Sequence, residues 1–125
     1  MKIKRYSESE NKAVSKEGFK GMRAYFCLSK DDGCPRFAMR VMEFEPYGHT
    51  SVHSHPEEHE VYFLEGKPGY VDAEGTLHEL QLGDVLYVEP NEVHQFKNLG
   101  DTVMRMICVI PILPGGDGKV SIVDR

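Results

Sequence analysis

The chain has no tryptophan, only three cysteines in 125 residues, and no apolar run as long as a membrane helix needs. Cys27, Cys34 and Cys108 are odd in number, widely scattered and without a Cys-x-x-Cys pair, which argues against a disulfide framework and against a thiolate zinc site. Reduced thiols in the cytosol fit them. The opening Met1-Lys-Ile-Lys-Arg-Tyr-Ser-Glu-Ser-Glu lacks the apolar core of a signal peptide, and no later stretch approaches the roughly 20 apolar residues of a membrane span. The expectation is a cytoplasmic protein without a membrane partner. Basic excess is also missing: 15 Lys and Arg against 20 Asp and Glu leave a formal charge of −5, which argues against a nucleic-acid surface. No segment carries a long apolar stripe of helical period.

What is present is the rhythm of short strands. Turn signals recur at Lys30–Pro35, Glu45–Gly48, Gly66–Gly69, Ala73–Gly75, Gly83-Asp84, Glu89–Asn91 and Asn98–Asp101, the cadence of an all-β sandwich or barrel. Between them lie runs rich in β-branched, aromatic and aliphatic residues: Met22–Leu28, Arg36–Phe44, His59–Leu64, Thr76–Leu82, Val85–Val88, Val93–Phe96 and Thr102–Ile112. Residues 8–18 suit a short helix or an arm packing across the barrel or onto a partner. Lys119–Arg125 suits one more edge strand or a dimer strand. The reading is a single domain over 1–125, with a barrel core at about 36–112, a peripheral arm at 1–20 and a peripheral tail at 113–125.

Four of the six histidines fall into a metal-site pattern. His53 and His55 are two apart, so both rings leave one face of a strand. His59 lies across the turn that Pro56 opens, and His94 follows the turn at Glu89-Pro90-Asn91-Glu92. Several neutral imidazoles converging on one interior would be costly to leave unpaired, and imidazole is the commonest metal ligand. His49 reads as a loop histidine, and His78 as the outward face of a hairpin.

With these residues the chain resembles the cupin superfamily. Its first motif reads Gly, about five residues, His-x-His, three or four residues, Glu, six residues, Gly; here Gly48, His53, His55, His59 and Gly66 follow it, with histidine in the usual glutamate place. Glu60 competes for that place, but neighbours on a strand face opposite ways, and the count to Gly66 selects His59. Glu60 is then an exposed carboxylate, or one that accepts a hydrogen bond from a ligand imidazole. The second motif is matched by Gly83, Pro90, His94 and Asn98 with the proline displaced by one, and Asn91 stands where glycine usually provides a positive-φ turn. The resemblance implies an all-β double-stranded β-helix, the jelly-roll barrel. It also implies one divalent transition metal ion per chain on His53, His55, His59 and His94, with Mn, Fe, Ni, Zn and Cu not distinguished, a small-molecule substrate, and a homodimer.

Alternation adds candidate pocket residues. If Arg105 points to solvent, Met104, Met106, Cys108 and Ile110 face inward, so Met106 or Cys108 lines the metal cavity, or Cys108 acts as a small buried hydrophobe. Phe96 shares the face of His94 and serves as a pocket wall or as core. Val61, Phe63, Phe96 and Met106 are expected to exclude water. Arg40, a single charge in an apolar strand, binds a carboxylate substrate or ends in water. The leading expectation is a metal-dependent, oxygenase-like enzyme acting on a small chelating molecule. A non-catalytic metal-binding or small-molecule-binding module is the alternative, since Glu43, Glu60 and Tyr62 are the only candidate acids or bases. A sugar isomerase ranks third.

Overall fold

The computed structural model describes residues 1–119 and 123–124. Among these there is no α-helix, and no helix is long and apolar enough to cross a membrane. Eleven strands run in chain order: β1 (Glu10–Ala13), β2 (Lys20–Leu28), β3 (Phe37–His49), β4 (His53–Ser54), β5 (His59–Glu65), β6 (Pro68–Val71), β7 (Leu77–Glu79), β8 (Val85–Val88), β9 (Gln95–Asn98), β10 (Met104–Pro111) and β11 (Val123–Asp124). Nine of them form one sheet in the order β7-β6-β9-β3-β10-β5-β8, with β2 and then β1 continuing from the other edge of β3; β4 and β11 form a separate two-stranded ladder. All these pairings are antiparallel. The architecture is the jelly-roll barrel.

Strict alternation builds the interior. On β10, Met104, Met106, Cys108 and Ile110 are buried while Arg105, Ile107 and Val109 face outward. On β5, His59, Val61 and Phe63 turn inward and Glu60, Tyr62 and Leu64 outward. Register Cys108↔Arg40 and Cys108↔Val61 sets β10 between β3 and β5, so one inward row carries Arg40, Cys108 and Val61 side by side. Phe44, Phe63, Met104 and Met106 are almost fully enclosed, each contributing roughly 1.5–3 kcal/mol of burial.

Residues 8–18, open between helix and arm, adopt the arm. Glu10–Ala13 pairs with β2 from Glu10↔Phe26 to Ala13↔Arg23. A segment too poor in apolar residues to bury a helical face gains its stability from ladder hydrogen bonds. Gly66–Gly69, read as a turn, is a turn only at Gly66, and Pro68–Val71 forms β6 against β9 and β7. Proline is tolerated there because it is the first residue of the strand. At Gly66, with φ 89°, a Cβ would lie 2.5 Å from the Val103 carbonyl oxygen, so only glycine lets the chain pass so close. Asn91 takes φ 65°, the positive-φ turn expected of it. Of the tail, Val123↔Ser54 and Asp124↔His53 pair within the chain; the rest of the expected terminal strand lies mostly outside the described residues.

Candidate metal centre

The four histidines reach the barrel mouth from three elements. His53 stands on β4, His55 just beyond it, and His59 opens β5. His94 enters through an isolated antiparallel bridge to His53. All four are buried.

Three of the rings are oriented in the same way. His53 Nδ1 donates to the Ser51 carbonyl at 2.9 Å, His55 Nδ1 to the Glu57 carbonyl at 2.8 Å, and His94 Nδ1 to the Glu92 carbonyl at 2.8 Å. A carbonyl oxygen only accepts, so the proton of each neutral ring resides on Nδ1 and Nε2 is left with its lone pair. The ligand atoms of His53, His55 and His94 lie within 4.8 Å of one another. His94 Nε2 is buried and has no hydrogen-bond partner among the described residues. A buried orphan acceptor in a ring of acceptors is the donor set a divalent transition metal fits, with the backbone carbonyls as outer partners. Burial, ahead of the neighbouring His94, pushes His55 down to about 4. Burial lowers His94 as well, which favours the neutral form of both rings.

His59 touches this trio but stands outside its compact set. Its Nε2 lies 2.8 Å from His55 Nε2, and its Nδ1 lies 2.8 Å from Cys108 Sγ and 3.4 Å from an Arg40 guanidinium nitrogen. Burial, and after it Arg40, hold His59 well below the ordinary histidine range. Four histidines were expected on one ion; the structure gathers three and places the fourth in contact with them.

The expected pocket residues separate by strand parity. Phe96 packs edge-on to His59 with centroids 6.0 Å apart, and Phe96, Met106 and Cys108 all line the cavity beside the rings. Val61 and Phe63 lie deeper, in the core. Arg40 does not end in water: it is buried, donates to Cys108 Sγ at 3.3 Å, and makes no ion pair among the described residues. Its Nε has no partner among those residues either. Glu60 does not reach the site even as an outer partner, because alternation on β5 turns it outward, where it meets Glu58. Tyr62 is exposed, and Glu43 lies on the outer face, bonded to Tyr6 and to Arg105. His49 bonds the Thr50 carbonyl, and His78 pairs with Asp72 on the surface.

Some contributors had no side-chain signal in the sequence. Thr50 Oγ1 accepts from the Phe96 N–H and donates to the Ser51 carbonyl, steadying the acceptor that orients His53. Phe19 stacks on His53 at 5.8 Å. Tyr70 lies parallel to His94 at 6.2 Å and donates its hydroxyl to the Glu92 carboxylate. The one legible trace is spacing, since each orienting carbonyl sits two residues from its histidine.

An all-β jelly-roll barrel with inward imidazoles at its mouth defines a class, and a comparison of sequences agrees with it. The cupin domain family (Cupin_2) matches residues 40–110, more than half of the chain, and the chain belongs to that family. The oxalate-binding protein of Thermotoga maritima is 28% identical over 72 residues, 58% of this chain and 60% of that protein, so the match spans about three-fifths of that relative's length. Among solved structures, the polyketide cyclase RemF of Streptomyces resistomycificus is 29% identical with a TM-score of 0.81, over 89% of this chain and 79% of that one. A predicted oxalate decarboxylase of Thermotoga maritima is 27% identical with a TM-score of 0.77, over 90% of this chain and 100% of that one.

Proposed function

We propose that the chain is a metal-dependent, oxygenase-like cupin enzyme acting on a small organic anion that chelates through two neighbouring oxygens. The observation that carries this reading is the orientation of the histidines: three Nδ1 protons are committed to backbone carbonyls, and the opposite nitrogens gather in a buried cavity. We place His59 as the fourth ligand through Nε2. Its Nδ1 then donates to Cys108 Sγ, which serves it as Ser51, Glu57 and Glu92 serve the other rings. When bound, one divalent transition metal ion per chain would supply Lewis acidity and open positions for a bidentate oxygen ligand.

The remaining groups suit an anion. Arg40 is a buried cation facing the cavity without a carboxylate partner among the described residues, a state that an incoming carboxylate or enolate relieves. Phe96 and Met106 keep water from the bound head. Oxalate, which appears in the names of two similar proteins, is such an anion. The sugar isomerase reading loses support, because Glu43, Glu60 and Tyr62 all face away from the cavity.

That same lack of a cavity carboxylate favours a second reading, a binding protein that holds metal and anion without turnover. Metal analysis combined with oxygen uptake over a panel of diols, enediols and 2-oxo acids separates the two. About one ion per chain with oxygen uptake matched to substrate loss supports the enzyme, and anion binding without turnover supports the binder. A folded protein that takes up no metal overturns both. We also propose a homodimer through the outer face of β5 and β8, where Tyr62, Leu64, Val85 and Tyr87 are exposed. Sedimentation equilibrium tests it, and a monomer at micromolar concentration contradicts it.

A further inference from the structure

The cavity at the histidines is about 30 Å³. That is room for about two water-sized spheres at roughly 10–15 Å³ each, whereas pockets enclosing small organic ligands run to roughly 300–1,000 Å³. An organic substrate can therefore place only its head there. The cavity shares Met22, Arg40 and Met42 with a second chamber of about 550 Å³, bounded by β1, β2 and β3.

We propose that this outer chamber is a substrate vestibule, and that the substrate is an amphiphilic organic acid: a chelating, anionic head joined to a flat apolar body the size of an aromatic ring or larger. The inference rests on the metal-centre reading above and extends it to substrate class. Arg40 stands at the neck, lining both spaces, where it meets the anionic head from either side. Beyond it the inward row of β2 offers Met22, Ala24 and Phe26, faced by Val14 beyond β1. That is an apolar bed which a bare dicarboxylate would leave wet. Lys12 and Lys16 hold the rim and pair with no carboxylate among the described residues, so they draw anions toward the mouth. Lys119, also at this chamber, is by contrast already held by Glu10 and Asp31. The arm thus has a function beyond covering the sheet: it forms one wall of the chamber.

Two probes sharing one head, pyruvate and 2-oxo-4-phenylbutanoate, separate the vestibule from the metal cavity. Calorimetry on the metal-saturated protein is expected to show the phenyl compound binding at least tenfold more tightly. In Val14→Trp, which fills the chamber away from the histidines, that advantage falls to within twofold while pyruvate affinity holds. Alanine-methyl NMR on the wild-type protein gives a second reading: the signal of Ala24, which lines the chamber and not the histidine cavity, moves with the phenyl compound and stays still with pyruvate. Equal affinities in the wild type, or a silent Ala24, overturn the proposal. If the protein takes up no metal but still binds the phenyl compound with a shifted Ala24, the vestibule stands and the metal reading falls. If metal and pyruvate bind while the phenyl compound gains nothing, the vestibule alone is wrong.

Discussion

His53 and His94 hold each other through their backbones: the His53 N–H donates to the His94 carbonyl at 3.0 Å, and the His94 N–H donates to the His53 carbonyl at 2.9 Å. Their rings meet edge to face at 4.6 Å. Residues 41 positions apart in the chain are thereby set in register by two hydrogen bonds.

Removing one ring from this arrangement should release the metal without unfolding the barrel. His53→Ala and His94→Ala are each expected to lower metal affinity beyond the roughly 10–100-fold typical of outer partners. His59→Ala also loses metal if His59 is the fourth ligand, whereas Glu60→Ala keeps it, since Glu60 faces outward. Metal content after dialysis, with circular dichroism as the folding control, checks all four.

Arg40→Met separates anion binding from metal binding. The variant keeps its metal, and its affinity for oxalate or pyruvate falls by about 10–100-fold, the loss of a charge-assisted contact worth roughly 1.5–3 kcal/mol. Stability holds or rises, because a buried unpaired cation is replaced by a side chain of similar length. Calorimetry and thermal melting on one sample read both effects.

Asn98 ties β9 to β3 and to the loop before β10. Its Nδ2 donates to the carbonyls of Phe44, Glu45 and Thr102, and its Oδ1 accepts from the Gly100 N–H. Asn98→Leu strands these buried groups and is expected to destabilise the chain by about 2–4 kcal/mol. Metal affinity below the melting range stays unchanged. Urea unfolding with metal titration tests the pair of statements.

Asp32 ties the arm by charge. Lys4, then the Ser29 N–H and Lys2, hold its carboxyl at about 2, below the ordinary 3.8. A depressed folded pKa means stabilisation that is present above about 3.8 and lost as the pH falls through about 2. The melting temperature of wild type should exceed that of Asp32→Asn above pH 4.5, and the gap should close toward pH 2. A gap that does not change with pH contradicts this assignment.

The strands and the histidines that gather at the cavity were legible because both follow side-chain parity. Alternation placed Met106 and Cys108 inward and Glu60 outward, and the two-residue step from His53 to His55 marked one face. Pro68-Gly69 concealed β6, since those residues also make turns and only pairing with β9 decides between the two. The partners that orient the imidazoles were illegible because they are carbonyls of Ser51, Glu57 and Glu92, groups every residue has. Arg40 was open between substrate and water until Cys108 and His59 appeared beside it. The chamber under the arm depends on how β1 lies along β2, and no short-range pattern encodes that.

X-ray absorption at the metal edge of the purified protein tests the histidine-held metal most directly. About one ion per chain is expected, in a shell dominated by nitrogen and oxygen, with the multiple-scattering signature of four imidazoles. A chain without metal, or a shell dominated by sulfur or carrying no imidazole signature, would contradict it.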